Sequence, residues 1–215
     1  MKCDLDPAAC LEPTRFMNSL HPAIVDCAKR VAPDGLPTKE KAQRIFNFVR
    51  DEITYEFRAK LDPNEYVASY ILSVGRGFCC QKATLQCALG RVVGIPTGVL
   101  MGTIRDRTLH PQIVAAMRTD LLRYHGLAAF YLNGQWLRAD ATLSPELVAR
   151  KGYRLVEFNG EQEALLPATT LAGAPHVEYV EWFGAYADLP IDDMIEDFLK
   201  FWDTADIEAL KRLRL

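Results

Sequence analysis

Apolar residues recur at helical spacing from His21-Pro22 to about Val31, and again from Pro37-Thr38 to about Arg50. The second stretch has Ala42, Ile45, Phe46 and Val49 as its stripe, with Thr38 placed as N-cap. Residues 66–73 predict a further short helix. Cys79 to Val93 predicts a longer one that stops at Gly94-Ile95-Pro96. Thr97 to Ile104 then reads as a strand, and 105–123 as a loop and short helix over a cleft. Pro145–Lys151 predicts a helix and Tyr153–Phe158 a strand. Ile191 to Trp202 is amphipathic, with Met194, Ile195, Phe198, Leu199 and Trp202 on one stripe. Residues 1–18 and the Gly/Pro-punctuated stretch 159–176 lack periodicity and read as irregular chain, the latter as a surface connection carrying His176 near Tyr179 and Trp182.

One hairpin is specified in more detail. From His125 to Asp140 two β-prone runs flank Asn133-Gly134, a dipeptide suited to a two-residue type I′ turn because both central residues need positive φ. That turn pairs Leu132 with Gln135 and, counting outward, places Asp140 opposite Leu127. His125 and Asp140 then project from one face as diagonal neighbours, about 7–8 Å apart at the backbone. A slip of one residue would send them to opposite faces.

Upstream, Cys79 and Cys80 fall where a helix begins, after Gly75, Arg76 and Gly77. Free backbone N–H groups and the helix dipole favour an anion there, so a thiol ionises more readily. Cys79, Ala83, Cys87 and Gly90 form a stripe of small side chains that lets the helix lie close to a sheet. A thiol, a histidine and an aspartate make a nucleophile, base and orienter set. The two cysteines point about 100° apart around the helix, so only one can face the hairpin, and the spacing alone leaves the choice open. Cys27 and Cys87 read as small hydrophobes.

Composition narrows the function classes. With 215 residues, 49% of them hydrophobic, the chain can bury a full core without metal or disulfide. A net charge of −3 gives no basic stripe and argues against a nucleic-acid partner. Lys211-Arg-Leu-Arg reads as a solvated helix face. No apolar run reaches the roughly 18 residues of a membrane helix. The N-terminus lacks the apolar core of a signal peptide, so the cytoplasm is the expected compartment and the six cysteines are expected to be reduced. Arg105, Arg107 and Arg118 are candidates for selecting an anionic substrate.

Gly77-x-Cys79-x-x-x-Ala83, then Gly94-Ile95-Pro96, then His125 and Asp140 with Thr142, resembles the transglutaminase-like superfamily of cysteine enzymes with a papain-like core. Val49 to Tyr55, Gln81-Lys82-Ala83, His125-Gly126, Leu155 to Gly160 and Asp188-Leu189-Pro190 are similar to its small bacterial members, so the likeness spans roughly residues 11 to 202. The resemblance implies an α+β fold, with N-terminal helices and a catalytic helix packed on an antiparallel β-sheet. It implies one domain over 1–215: a helical N-terminal region over 1–60, a catalytic core over 61–160 and a C-terminal extension over 161–215. It places the nucleophile at Cys79 rather than Cys80, with His125 as base and Asp140 as orienter. The implied reaction passes through a thioester on a peptide, protein or small amide, with hydrolysis favoured over transamidation and no cofactor, metal or membrane involved. Two other classes stay in view: a catalytically silent binding or scaffold module, and a metal site of Cys79, Cys80 and His125.

The chain departs from the family pattern in two places. No upstream Trp or Gln side chain is available to complete the oxyanion hole, and Ser73 stands where papain-type enzymes carry Gln. Tyr55 and Gln81 are the candidates for that donor. Gly126 and Leu127 also stand where an aromatic residue often follows the histidine.

Overall fold

The structure is a computed structural model that describes residues 3–58 and 60–204, without the side chains of 201–204. The basic patch at 211–214 and the Trp202 side chain therefore lie outside the described residues. Helix α1 (Pro22–Val31) opens with the His21 ring accepting from the Ala23 N–H at 3.3 Å. Helix α2 (Thr38–Glu52) begins at the residue expected to cap it. Pro37 occupies the cap position, so Thr38 is already helical and no side chain caps this end.

Strand β1 (Thr54–Tyr55) pairs in parallel with β2 (Arg76–Gly77), and α3 (Ala68–Val74) lies between them in sequence. Helix α4 (Cys79–Val92) follows directly. The main sheet is built from β3 (Thr97–Asp106), β4 (Leu121–Leu132), β5 (Gln135–Ala139) and β6 (Val177–Tyr186), in the order β5-β4-β3-β6 with every neighbour antiparallel. Short helices α5 (Pro111–Met117) and α6 (Pro145–Lys151) sit in its connections, and α7 (Ile191–Thr204) ends the described chain. This is the expected α+β arrangement, with a central helix against an antiparallel sheet.

Helix α4 is buried almost all round, from Cys79 to Arg91. Its polar side chains survive burial by bonding backbone carbonyls. Lys82 Nζ donates to the Ile53 and Arg50 carbonyls at 2.7 and 3.4 Å, at the end of α2, and burial pushes its pKa down to about 7. Thr84 Oγ1 donates to Cys80 O at 2.8 Å and Arg91 Nη2 to Thr97 O at 2.8 Å. On the sheet side the small stripe works as expected: Cys87 Sγ lies 3.1 Å from Gly98 O, and a Cβ on Gly90 would meet Thr97 Cγ2 at 2.5 Å and Phe130 at 3.3 Å. Gly90→Ala is expected to destabilise the fold by about 1–3 kcal/mol through overpacking, read by denaturant unfolding.

Three expectations differ from what forms. Residues 153–158 form no regular element and join no ladder. Their apolar side chains pack instead: Phe158 stands 5.6 Å from Phe46 and 5.5 Å from Phe130, ring to ring, while Val156 O accepts from Arg50 Nη1 at 2.8 Å. The sheet edge beyond β3 is taken by β6, which starts directly after the supposed surface connection. Leu199 leaves the α7 stripe and is exposed, whereas Met194 and Phe198 are buried. Among the described residues no helix is long and apolar enough to cross a membrane.

Candidate active site

The hairpin forms in the expected register, with Leu132 opposite Gln135 and Ala128 opposite Ala139. Asn133 and Gly134 take φ of 51° and 82°, the positive pair that a type I′ turn requires. Asp140 follows β5 directly, its N–H bonded to Ala164 O at 2.8 Å. His125 Nε2 and Asp140 Oδ2 lie 2.7 Å apart. With Nε2 committed to the carboxylate, Nδ1 is the ring nitrogen left for Cys79, whose charge acts on the imidazole and is acted on by it. Cys79, His125 and Asp140 are only 2%, 3% and 1% exposed, so their charges interact with little screening by water.

Each of the three shifts in the direction an ion pair needs. Burial alone would raise the Cys79 thiol; hydrogen bonding from Cys80, the charge and hydrogen bond of His125 and the Gly126 backbone outweigh it and lower its pKa. Burial opposes a charged His125, but the Asp140 and Cys79 charges and its bonds to both hold its proton well above the usual imidazole range. Asp140 would likewise be raised by burial; His125, the Thr142 N–H at 3.1 Å and Tyr179 keep it low.

Cys80 is the contrasting thiol. Burial, its contact with the Cys79 sulfur and the Cys79 charge push its pKa well up. Its single S–H lies 2.8 Å from Tyr124 O and 3.8 Å from Cys79 Sγ. One proton serves one acceptor, and the nearer carbonyl takes it. The lowering of Cys79 therefore rests chiefly on His125 and Gly126.

Gly126 explains one departure noted in the sequence. A Cβ there would stand 2.9 Å from Cys80 Cα and 3.2 Å from Cys80 Sγ. Only a bare backbone lets the first turn of α4 lie against β4, beside the histidine. Tyr124, two residues earlier, takes φ of 52°, and β4 shifts register against β3 between Gly102 and Ile104.

The oxyanion candidates separate. Gln81 is spent as a brace: Oε1 accepts from the Phe78 N–H at 2.9 Å and Nε2 donates to Glu65 O at 2.7 Å. Ser73 is exposed and donates to Tyr70 O at 2.7 Å. Tyr55 sits beside Phe78, next to Cys79 in the chain, with rings 6.3 Å apart, and burial followed by the Cys79 charge pushes its phenol well up. Arg105 and Arg107 are not free to select an anion, since both pair with Asp120 and Glu178 at 3.2–3.6 Å. Arg118 closes α5 with φ of 59°.

His176 is buried rather than exposed: its backbone N–H bonds Ala168 O at 2.8 Å and its ring packs, tilted, 4.2 Å from Tyr153. It lines a groove of about 760 Å³ with Leu166, Pro175 and Tyr179, and Cys79 is not part of that lining. Among the described residues no cluster of three His, Cys, Asp or Glu side chains is arranged to hold a metal, so the metal reading of Cys79, Cys80 and His125 has no support. Nothing in the sequence pointed to Tyr179. Its hydroxyl donates to Asp140 Oδ2 at 2.9 Å and accepts from the Leu166 N–H at 3.0 Å. Recognising β6 as a strand would have been the necessary signal.

No protein of curated function matches the chain. Among solved structures it is similar to a candidate cysteine protease from Cytophaga hutchinsonii, at 20% identity and a TM-score of 0.50, covering 84% of this chain and 53% of that one. It also matches a candidate protease from Parabacteroides distasonis (14% identity, TM-score 0.43, 64% of this chain and 26% of that one). A third match is a TGase (18% identity, TM-score 0.37, 59% of this chain and 31% of that one). The chain thus spans about half the length of the first and less of the others, and the first likeness speaks for a shared fold alone. The sequence profile of the transglutaminase-like superfamily matches residues 26–141, more than half of the chain, from within α1 to just past Asp140. The chain belongs to the transglutaminase-like superfamily.

Proposed function

We propose that this protein is a cysteine-dependent acyl-transfer enzyme acting on an amide, through Cys79 as nucleophile, His125 as general base and acid, and Asp140 as orienter. The observation that carries the reading is the buried line of the three side chains, with the thiol lowered, the imidazole raised and Cys80 shifted the opposite way. Such a pair stores the nucleophile as a thiolate and keeps a proton ready for the leaving group.

Cys79 Sγ attacks the amide carbonyl, and the carbonyl π electrons move onto oxygen. The Cys79 backbone N–H, at the free end of α4, and the Tyr55 hydroxyl are the donors proposed for that oxyanion. When the intermediate collapses, the C–N bond breaks and His125 delivers its Nδ1 proton to the departing amine, leaving a thioester. Water, deprotonated by His125, then attacks the thioester and releases acid and thiolate. An amine in place of water would make the reaction a transamidation. Hydrolysis of a peptide, protein or small amide is the favoured outcome, in line with the cysteine-protease name carried by the Cytophaga structure.

A second reading, a silent binding module, draws on one observation: the Cys79 residue is only 2% exposed, so a substrate must displace covering side chains to reach its sulfur. The deciding experiment is iodoacetamide alkylation of Cys79 as a function of pH, with the labelled residue assigned by mass spectrometry, in wild type and His125→Ala. Fast labelling well below the pH at which a free thiol ionises, slowed in the mutant, is the expected result. Slow labelling indifferent to His125 would hand the protein to the silent reading.

A further inference from the structure

We propose that Tyr179 is a positioning residue that keeps Asp140 ionised and aimed at His125. The proposal rests on the reading of Cys79, His125 and Asp140 as the catalytic set and extends it to the far edge of the sheet. Strands β5 and β6 are at opposite edges of the four-stranded order, yet Tyr179 Oη reaches Asp140 Oδ2 across the sheet at 2.9 Å. The direction of that bond is fixed. The phenol oxygen already accepts from the Leu166 N–H at 3.0 Å, so its single proton is directed to the carboxylate.

One short segment holds both partners. Ala164 O takes the Asp140 N–H at 2.8 Å, and two residues on, Leu166 supplies the N–H that orients Tyr179. The ring is braced by Trp182, stacked at 5.2 Å and 9°, and Trp182 lies under the Arg138 guanidinium, which is itself tied to Glu163 at 2.6 Å. Asp140 therefore receives three donors while buried: His125 and Tyr179 at Oδ2, and the Thr142 N–H at Oδ1. Donors to a carboxylate favour its charged form, which burial would otherwise suppress. The other ionisable groups that act on Asp140 or on its tyrosine are Lys82 on α4, Tyr55 on β1 and Arg138 on β5. None of these takes the place of the tyrosine hydrogen bond at Oδ2.

The test is a titration of the Asp140 carboxyl carbon by ¹³C NMR in wild type and Tyr179→Phe, with iodoacetamide labelling of Cys79 run on the same samples. Losing one donor to a buried carboxylate is expected to raise the Asp140 midpoint by about one pH unit. The acid limb of Cys79 labelling should move up with it, and the melting temperature at neutral pH should fall by a few degrees, because a carboxylate that is harder to ionise in the fold costs stability and the Leu166 N–H loses its acceptor. Site-specific 3-fluorotyrosine at position 179, a stronger hydroxyl donor, should move the midpoint the other way. An Asp140 midpoint unchanged in both variants overturns the proposal, since a merely structural tyrosine would alter stability and leave the titration in place. The carboxyl signal reports on Tyr179 even if Cys79 proves inert. Inert Cys79 with a shifted Asp140 would defeat the catalytic reading while sustaining the tyrosine's hold on the carboxylate.

Discussion

Cys79→Ala is expected to abolish turnover of any amide or activated ester that the wild type cleaves, a loss of at least about 10⁴-fold, because the reaction has no other bond-forming atom. Cys80→Ala is expected to retain turnover near neutral pH. The two thiols are neighbours in sequence and both are buried, yet their environments oppose. The charge of His125 helps lower the Cys79 pKa to about 5, whereas Cys80 keeps its proton, donates it in a hydrogen bond to the Tyr124 carbonyl and is pushed well up. With His125 raised to about 10, the thiolate–imidazolium form occupies the window between those values, and both limits belong to the coupled pair rather than to either residue. The sign follows directly. Acid protonates the lowered thiol and switches the nucleophile off, and alkali removes the imidazolium proton that the leaving group needs. Because the Cys80 proton is directed to Tyr124 O and not to the Cys79 sulfur 3.8 Å away, its removal should leave both the acid limit and the plateau rate near wild type. Rates measured from about pH 4 to about pH 10 on both variants check this. Turnover surviving in Cys79→Ala and lost in Cys80→Ala would reverse the assignment.

What could be foreseen follows from how local each signal is. The His125–Asp140 pairing was legible because Asn133-Gly134 fixes the turn, the turn fixes the register, and side-chain parity does the rest. Cys79 at the start of α4 was legible from the Gly/Pro signals on either side. The burial of α4 was not. Gln81, Lys82, Thr84, Gln86 and Arg91 give the helix a polar appearance, and what permits their burial includes carbonyl acceptors distant in sequence, such as Ile53 and Ala139.

Strand β6 escaped for a different reason. Its register against β3 shifts twice, between Met101 and Gly102 and between Thr103 and Ile104, which breaks the period-two pattern of Val-Glu-Tyr-Val-Glu-Trp-Phe. Tyr179 was lost with it. The reverse error arose at Tyr153–Phe158, where a run suited to a strand joins no sheet and Phe158 packs against α2 and β4 instead. Thr38 missed its cap by one residue because Pro37 stands there already. The oxyanion donor is a matter of side-chain commitment: nothing in the sequence says that Gln81 is consumed by Phe78 and Glu65 while Tyr55 packs against Phe78, the residue before Cys79.

Asp140→Asn is expected to reduce turnover by about 10⁴-fold, as loss of the carboxylate does in comparable triads, with little change in the fold. The site makes the amide a poor substitute in either orientation. The carboxylate accepts from His125 Nε2 and Tyr179 Oη at Oδ2, and from the Thr142 N–H at Oδ1, so every partner is a donor. An amide group turned toward His125 would set a donor against two donors and drive the ring proton onto Nδ1, where it blocks transfer from Cys79. Turned the other way, it opposes only the Thr142 N–H, and this is the cheaper choice. The tautomer then survives, but the buried negative charge does not. Without it the imidazolium loses the largest of the effects that sustain its proton against burial. The Cys79 thiolate loses its cation in turn, and the pair reverts to neutral thiol and imidazole across the neutral range. The variant should therefore show both a collapsed rate and a Cys79 labelling profile displaced toward the ordinary thiol range. A slow variant whose labelling profile stayed at wild-type pH would mean that Asp140 orients the ring without holding its charge.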